Sequence, residues 1–164
     1  MKVGINSRIY QNSNTGIPYF VECLYKKLLE KDKKNSYTFF QTSGVKKIGE
    51  TIVYPLANTS RNAFLFDLFF INKLLEKYPI DLLHCPAHIM PFIRKKRIKY
   101  VITIHDLTFL LFPGNHSKLF NLYYKYAIGY ALKHADAVIV DSKQTRFDIH
   151  RFYTVNPDKI KTVY

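Results

Sequence analysis

Apolar and polar positions follow two different periods along this chain. Short, nearly continuous apolar runs read as strands: "KVGI" (2–5), "SYTFF" (36–40), "TIVYPL" (51–56), "IDLLHC" (80–85), "YVITIH" (100–105), "ADAVIVD" (135–141) and "KIKTVY" (159–164). Between them lie stretches with helical spacing. "GIPYFVECLYKKLLE" (16–30) puts apolar residues at 17, 20, 21, 24, 25 and 28, with Pro18 in the first turn, where a missing N–H does no harm. A second helix is expected over 62–78 with Asn62 or Ser60 as cap, a long one over 117–135, and a short one over 142–153 capped by Ser142.

Strands that are apolar on both faces, alternating with helices, imply a parallel sheet covered on both sides. The expected class is α/β, a doubly wound, mainly parallel, Rossmann-like sheet. Neither a repeat nor an interior linker divides the chain, so residues 1–164 are expected to form one domain. In such sheets the ligand crevice lies beyond the carboxyl ends of the strands. His84, His105, Asp106, Asp141 and the loop at Gly16 are expected to gather there. That position also accounts for an ionisable pair, His105-Asp106, at the tip of an otherwise apolar strand.

Composition narrows the class of partner only a little. Lys and Arg outnumber Asp and Glu by 25 to 12, a net charge of +13. The excess favours anions, whether nucleic acid, lipid headgroups or phosphorylated small molecules, but it is spread along the chain. Nucleic acid is the least supported of these: the aromatics fall at helical core spacing and do not interleave with the basic residues. The two cysteines, Cys23 and Cys85, form no C-x-x-C motif and point to reduced thiols in a cytoplasmic compartment. Charges interrupt every apolar stretch before it could span a bilayer, and "MKVGINSRIY" lacks the apolar core of a signal peptide.

Several motifs carry candidate chemistry, each beside a plainer reading. "NSNTGIP" (12–18) enters a helix through Gly16, and helix N-termini attract phosphate; the plain alternative is a capped turn. His105 can donate to a hydroxyl or phosphate and Asp106 can accept sugar hydroxyls; alternatively both serve a turn. In "LHCPAHIMPF" (83–92), His84 can line a cleft. His84 and His88 are not read as metal ligands, because Pro86 breaks the helix that would align them and a third ligand is wanting. "RKKRIK" (94–99) reads first as a solvated loop and second as a contact with anionic lipid or a phosphorylated acceptor. "FLFDLFF" (64–70) reads first as core and second as a greasy acceptor surface.

Taken in order, "TGIPYFVECLYKKLLE", "DLLHCPAHIMP", "YVITIHDLTFLLFP" and "ADAVIVDSKQTRFDIHRFYTVNPDKIKTVY" resemble the amino-terminal half of a GT-B glycosyltransferase of the retaining family 4. The resemblance spans essentially the whole chain, and its final block is the most specific. It implies that residues 1–164 form the acceptor-binding, Rossmann-like domain, and that the carboxy-terminal donor-binding domain is absent from this chain. The implied activity is transfer of a sugar from a nucleotide-sugar to a polysaccharide or glycolipid precursor, with this chain inactive alone. The alternative is a non-catalytic binding module or remnant of such an enzyme. By the same resemblance, His105 is the catalytic candidate beside the transferring sugar. Gly16 and Arg146 face the donor phosphates, and His84, Asp106 and Ser142 bind the acceptor. Pro18 stands where relatives often have a second small residue, and the family's E-x7-E pair lies outside these residues. No cofactor or metal is expected, since the sequence has no Asp-x-Asp motif. The implied partners are the nucleotide-sugar, a saccharide or lipid-linked acceptor, a second polypeptide carrying the donor domain, and an anionic membrane surface. The expected location is cytoplasmic, peripheral on the inner face of the plasma membrane.

Overall fold

The computed structural model describes residues 1–7, 16–43, 49–57 and 65–164. Seven strands form one sheet: β1 (Lys2–Asn6), β2 (Ser36–Ser43), β3 (Thr51–Ala57), β4 (Leu82–Cys85), β5 (Lys99–Ile104), β6 (Ala137–Val140) and β7 (Ile160–Thr162). Their order is β3-β2-β1-β4-β5-β6-β7, and every neighbouring pair is parallel. The order runs outward in both directions from β1 and β4, so the switch point falls between these two strands.

Adjacent residues of a strand face opposite sides, and the two cores follow that alternation. Helix α1 (Gly16–Lys31) seats Val21 and Tyr25 on Val3, Ile5 and Phe39. Three further helices serve the other core: α2 (Ile71–Lys77), α4 (Lys118–His134) and α5 (Lys143–Phe152). They supply Leu74, Leu75, Ile128, Ala131, Leu132 and Ile149, which cluster with Leu83, Tyr100, Ile102, Val138 and Val140. Phe39 therefore belongs to one core and Phe40 to the other. Gly4 sits at the tightest point, where a Cβ would lie 2.6 Å from Ile80 Cδ1 and 2.7 Å from Phe40 Cε2.

Two segments depart from the periodicity. The helix expected over 62–78 is described from Leu65 onward, so the Asn62 and Ser60 caps lie outside the described residues. Its first part, Phe66–Phe70, is a π-helical turn, whose extra residue carries the buried Asp67 to hydrogen-bonding distance of Asn6 on β1 (Asn6 Nδ2 to Oδ1, 2.7 Å). Beyond β5, the run at 107–113 folds into a short helix, α3 (Thr108–Leu111), followed by a 3₁₀ turn at Pro113–Asn115. Asp106 starts α3 by accepting from Thr108 N–H at 3.0 Å and Thr108 Oγ1–H at 2.7 Å. No sequence period announces so short an element.

The basic run 94–99 is pinned and not simply solvated. Ile98 is buried, Arg94 and Lys99 both bind Asp136 at 3.0 Å, Lys95 pairs with Glu76, and Arg97 donates to Leu75 O at 3.0 Å.

Candidate functional site

The carboxyl ends of β4, β5 and β6 and the first turn of α1 meet around His105. Its imidazole sits edge-on to Phe20 of α1 (centroids 4.9 Å apart) and to His88 of the β4–β5 loop (5.3 Å). Nε2 lies 2.8 Å from the Pro86 carbonyl and Nδ1 3.0 Å from Asp141 Oδ2. Both partners are acceptors, and together they hold the ring in place from two sides. The His105 carbonyl in turn accepts from Thr145 Oγ1 at 2.6 Å, which ties β5 to α5. One histidine thus links four elements at the strand-end rim.

Asp106 projects from the same rim, exposed. Burial of part of the carboxylate disfavours its ionisation, but the Thr108 hydrogen bonds and the neighbouring His88 and His105 outweigh it and hold its pKa below the usual value. Gly16, at the head of α1, has φ 63°, and no atom lies within 4 Å of where a Cβ would stand. Residues 12–15 of the "NSNTGIP" loop lie outside the described residues, and Phe20, one turn below Gly16, packs on His105.

The other sequence candidates are more occupied. His84 shares its strand face with Leu82 and turns inward toward α1, where it is buried. It hydrogen-bonds the Tyr25 hydroxyl through Nδ1 and Thr103 Oγ1 through Nε2 at 2.8 Å. Burial, then the charge of His105, pushes its pKa down to about 4, so the ring is neutral. Ser142 caps α5, its Oγ accepting from Thr145 N–H at 2.9 Å and lying 2.8 Å from Thr145 Oγ1. Arg146 reaches the start of β7, donating to the Ile160 and Pro157 carbonyls at 3.3 Å each. Ile160 pairs with Val138, two residues below the end of β6, so the guanidinium lies under the rim at the sheet's edge.

His88 is the rim residue the sequence did not single out for binding. Its φ is 60°, a left-handed conformation that a non-glycine residue rarely adopts. Its N–H bonds Thr103 O at 3.0 Å, which holds the strained loop against β5. Burial, then the charge of His105, pushes its pKa down to about 4, against a smaller opposing pull from Asp106 and Asp141. Its Nδ1 is buried with no hydrogen-bond partner. Backbone strain of this kind clusters at functional sites. A positive φ leaves no trace in sequence, so only the strand-end position of the loop could have signalled it.

Among the described residues no three His, Cys, Asp or Glu side chains come together as a metal site, and no helix is long and apolar enough to cross a membrane. His84 and His88 cannot ligate jointly, since one faces α1 from within the sheet and the other packs on His105.

A parallel, doubly wound sheet with a polar rim at its carboxyl ends is the architecture of the amino-terminal half of a GT-B fold. Two solved structures share it over 99% of this chain. They are UDP-GlcNAc 2-epimerase from Methanocaldococcus jannaschii (12% identity, TM-score 0.57, 45% of that chain covered) and an alpha-glucosyltransferase in complex with UDP-glucose and DNA containing an abasic site (12% identity, TM-score 0.51, 41% covered). The chain therefore spans less than half the length of these structural relatives. No curated protein matches it by sequence. Residues 32–164 match the family profile of Glycosyltransferase Family 4. The chain belongs to that family.

Proposed function

We propose that this chain is the acceptor-side domain of a glycosyltransferase that moves a sugar from a nucleotide-sugar to a saccharide or lipid-linked acceptor, a precursor of polysaccharide or glycolipid. The family match over residues 32–164 carries the reading. The strand-end rim around His105 supports it, because it gathers polar side chains at the carboxyl ends of the parallel strands.

In this reading the anomeric carbon–oxygen bond to the nucleoside diphosphate breaks as a bond to the acceptor hydroxyl oxygen forms, and the acceptor proton leaves with the diphosphate. The α1 N-terminus at Gly16 offers its first-turn N–H groups and a positive dipole end to the diphosphate. His105, oriented by Asp141, stands beside the transferring sugar as a hydrogen-bonding group. Its Nε2–H reaches a sugar hydroxyl by exchanging the Pro86 carbonyl for it. Asp106 accepts acceptor hydroxyls through the oxygen not taken by Thr108. Ser142 and His84 act by fixing the rim, through the α5 cap and the Tyr25–Thr103 bridge. Arg146 meets a phosphate only by releasing its two carbonyls.

One wall of a cleft cannot exclude water or neutralise a departing diphosphate, and those terms carry most of such a reaction. These 164 residues alone are therefore expected to transfer no sugar. The test offers a panel of nucleotide-sugars with lipid-linked and oligosaccharide acceptors to the chain, and then to the chain together with a polypeptide carrying a donor-binding domain. Transfer only in the second arm supports the proposal. Multiple turnover by the chain alone refutes the half-enzyme reading, and no transfer in either arm, with acceptor binding retained, favours a non-catalytic binding module.

A further inference from the structure

A helix packed on a sheet ordinarily turns charged and polar residues outward. α4 does not. Its inward side buries Ala127, Ile128, Ala131 and Leu132. Its outward side presents Leu119, Leu122 and Tyr126, which are 77%, 66% and 66% exposed. Their spacing of three and four residues aligns them in one row. The apolar surface extends past the helix. Phe92 packs on Tyr126 and Tyr130, with centroids 5.7 and 4.9 Å apart, and next to it on the loop Ile93 is exposed. Between α4 and α5 runs an open groove of about 560 Å³, lined by Leu122, Tyr126, Tyr130 and Tyr153 together with Lys125 and Lys133. Scattered exposed apolar residues are ordinary, but a continuous row beside a groove marks an interaction surface.

The charges on this face have one sign. The 17 residues of α4 include no Asp or Glu, while Lys118, Lys125 and Lys133 are all exposed along it. Lys96 is exposed on the adjoining loop, and Asp136, just past the helix, is taken up by Arg94 and Lys99.

We propose that the outer face of α4 is a docking surface for an anionic lipid bilayer, with Leu119, Leu122 and Tyr126 entering the headgroup boundary and the three lysines meeting lipid phosphates. A bilayer interface rewards apolar, aromatic and cationic side chains on one helix face together. Neither a second copy nor duplex DNA does so. A two-fold contact through this face sets lysines against lysines with no carboxylate to offset them. A phosphate backbone engages the lysines but leaves the Leu and Tyr row without a counterpart. The surface lies on the flank of the sheet, apart from the strand-end rim, so the inference stands or falls separately from sugar transfer.

The test uses the 164-residue chain with vesicles of phosphatidylcholine alone, or mixed with phosphatidylglycerol, read by cosedimentation without any sugar substrate. Binding to the mixed vesicles only is expected. Replacing Lys118, Lys125 and Lys133 with Gln is expected to weaken it about a hundred-fold, since each basic residue near an anionic surface contributes comparably. Removing the same charge elsewhere, with Lys27, Lys31 and Lys34→Gln, is expected to change it no more than a few-fold. Leu119→Ser with Leu122→Ser is expected to weaken binding while leaving the thermal midpoint unchanged. The sequence has no Trp, so Tyr126→Trp gives a single reporter whose emission is expected to shift to the blue on mixed vesicles. Equal loss from the control lysines, or undiminished binding by the Leu variants, would overturn the proposal in favour of diffuse charge. Self-association through Leu119 and Leu122 without vesicle binding would overturn it in favour of a dimer. Duplex DNA binding that depends on the α4 lysines, with vesicles ignored, would do so in favour of nucleic acid.

Discussion

Acidification is the perturbation for which the structure gives the clearest magnitude. His84 and His88 each have a pKa lowered from 6.5 to about 4, chiefly by burial. In the unfolded chain both rings regain the ordinary value and take up protons first. Below pH 6.5 the unfolded state therefore binds more protons than the native one, and stability falls as pH drops toward 4. For a single group with these two values, the loss between pH 7 and pH 4.5 is about 2 kcal/mol, and for both together roughly twice that. A domain of this size has roughly 5–15 kcal/mol in total, so the native state is expected to be marginal near pH 4.5. The carboxylates with lowered native pKa, Glu76, Asp106 and Asp136 among them, begin to contribute only below about pH 5, so the range from pH 7 to 5 reports chiefly the histidines. His134 shifts in the same direction and adds to the slope.

The assay is urea denaturation at steps between pH 7 and pH 4.5, with the slope against urea checked for constancy. His84→Gln removes one titrating group. It is expected to lower stability at pH 7 by about 1–3 kcal/mol through imperfect pairing with Tyr25 and Thr103, yet to halve the pH dependence. Wild-type stability that stays flat from pH 6.5 to 4.5, or a variant with an unchanged slope, would refute the burial argument for His84.

Four other perturbations separate rim from core. His105→Ala, placed in a polypeptide with both domains, is expected to cut turnover by roughly 100-fold while the thermal midpoint falls only a few degrees; simple unfolding, or near-normal turnover, would make His105 structural. Gly4→Ala is expected to cost about 1–3 kcal/mol in chemical denaturation, because the new methyl meets Ile80 and Phe40 at under 3 Å. Gly16→Ala meets no neighbour and is expected to cost only the conformational strain of φ 63°, about 1 kcal/mol, or a few degrees of thermal midpoint. His88→Asn keeps a residue tolerant of φ 60° and is expected to fold normally while binding acceptor several-fold less well by titration calorimetry; unchanged affinity would remove His88 from the site.

The order of elements was legible because each strand of a parallel sheet buries both faces, and Val138, Ile139 and Val140 or Val101, Ile102 and Ile104 have no other use. What periodicity missed was local: the π-helical turn at Phe66–Phe70 and the four-residue α3, both shorter than one window of helical spacing. The rim was legible as a location, since residues after strands must fall at the carboxyl edge, and His105 and Asp106 lie there. The direction of a side chain was less so. His84 shares parity with Leu82, which packs under α1, and that alternation was the available sign of an inward ring. Arg146 lies one turn into α5, at the spacing that points down the helix toward β7. The strain at His88 depends on a tertiary bond to Thr103, which no local pattern encodes.

In the proposed reading the rim is one wall of a cleft, and its hydrogen bonding bears on how tightly that wall binds. His105 spends both nitrogens on Pro86 and Asp141, Ser142 spends its oxygen on the α5 cap, and Arg146 spends its guanidinium on two carbonyls. A ligand that displaces any of these exchanges one protein hydrogen bond for another, and such exchanges are worth little net. Affinity then comes from groups that start without partners and from whatever excludes water on the far side. Among the described residues one such group at the rim is the buried Nδ1 of His88, which has no hydrogen-bond partner. In the proposed reading a hydroxyl that donates to that nitrogen relieves a desolvation cost of about 1–3 kcal/mol, offset in part by the hydrogen bond to water that it gives up. The neutral form of His88, held by burial and by the charge of His105, is the one that can accept it. In the proposed reading His88 is therefore the rim nitrogen most ready to take an acceptor hydroxyl, and replacing it costs more affinity than replacing a residue already engaged.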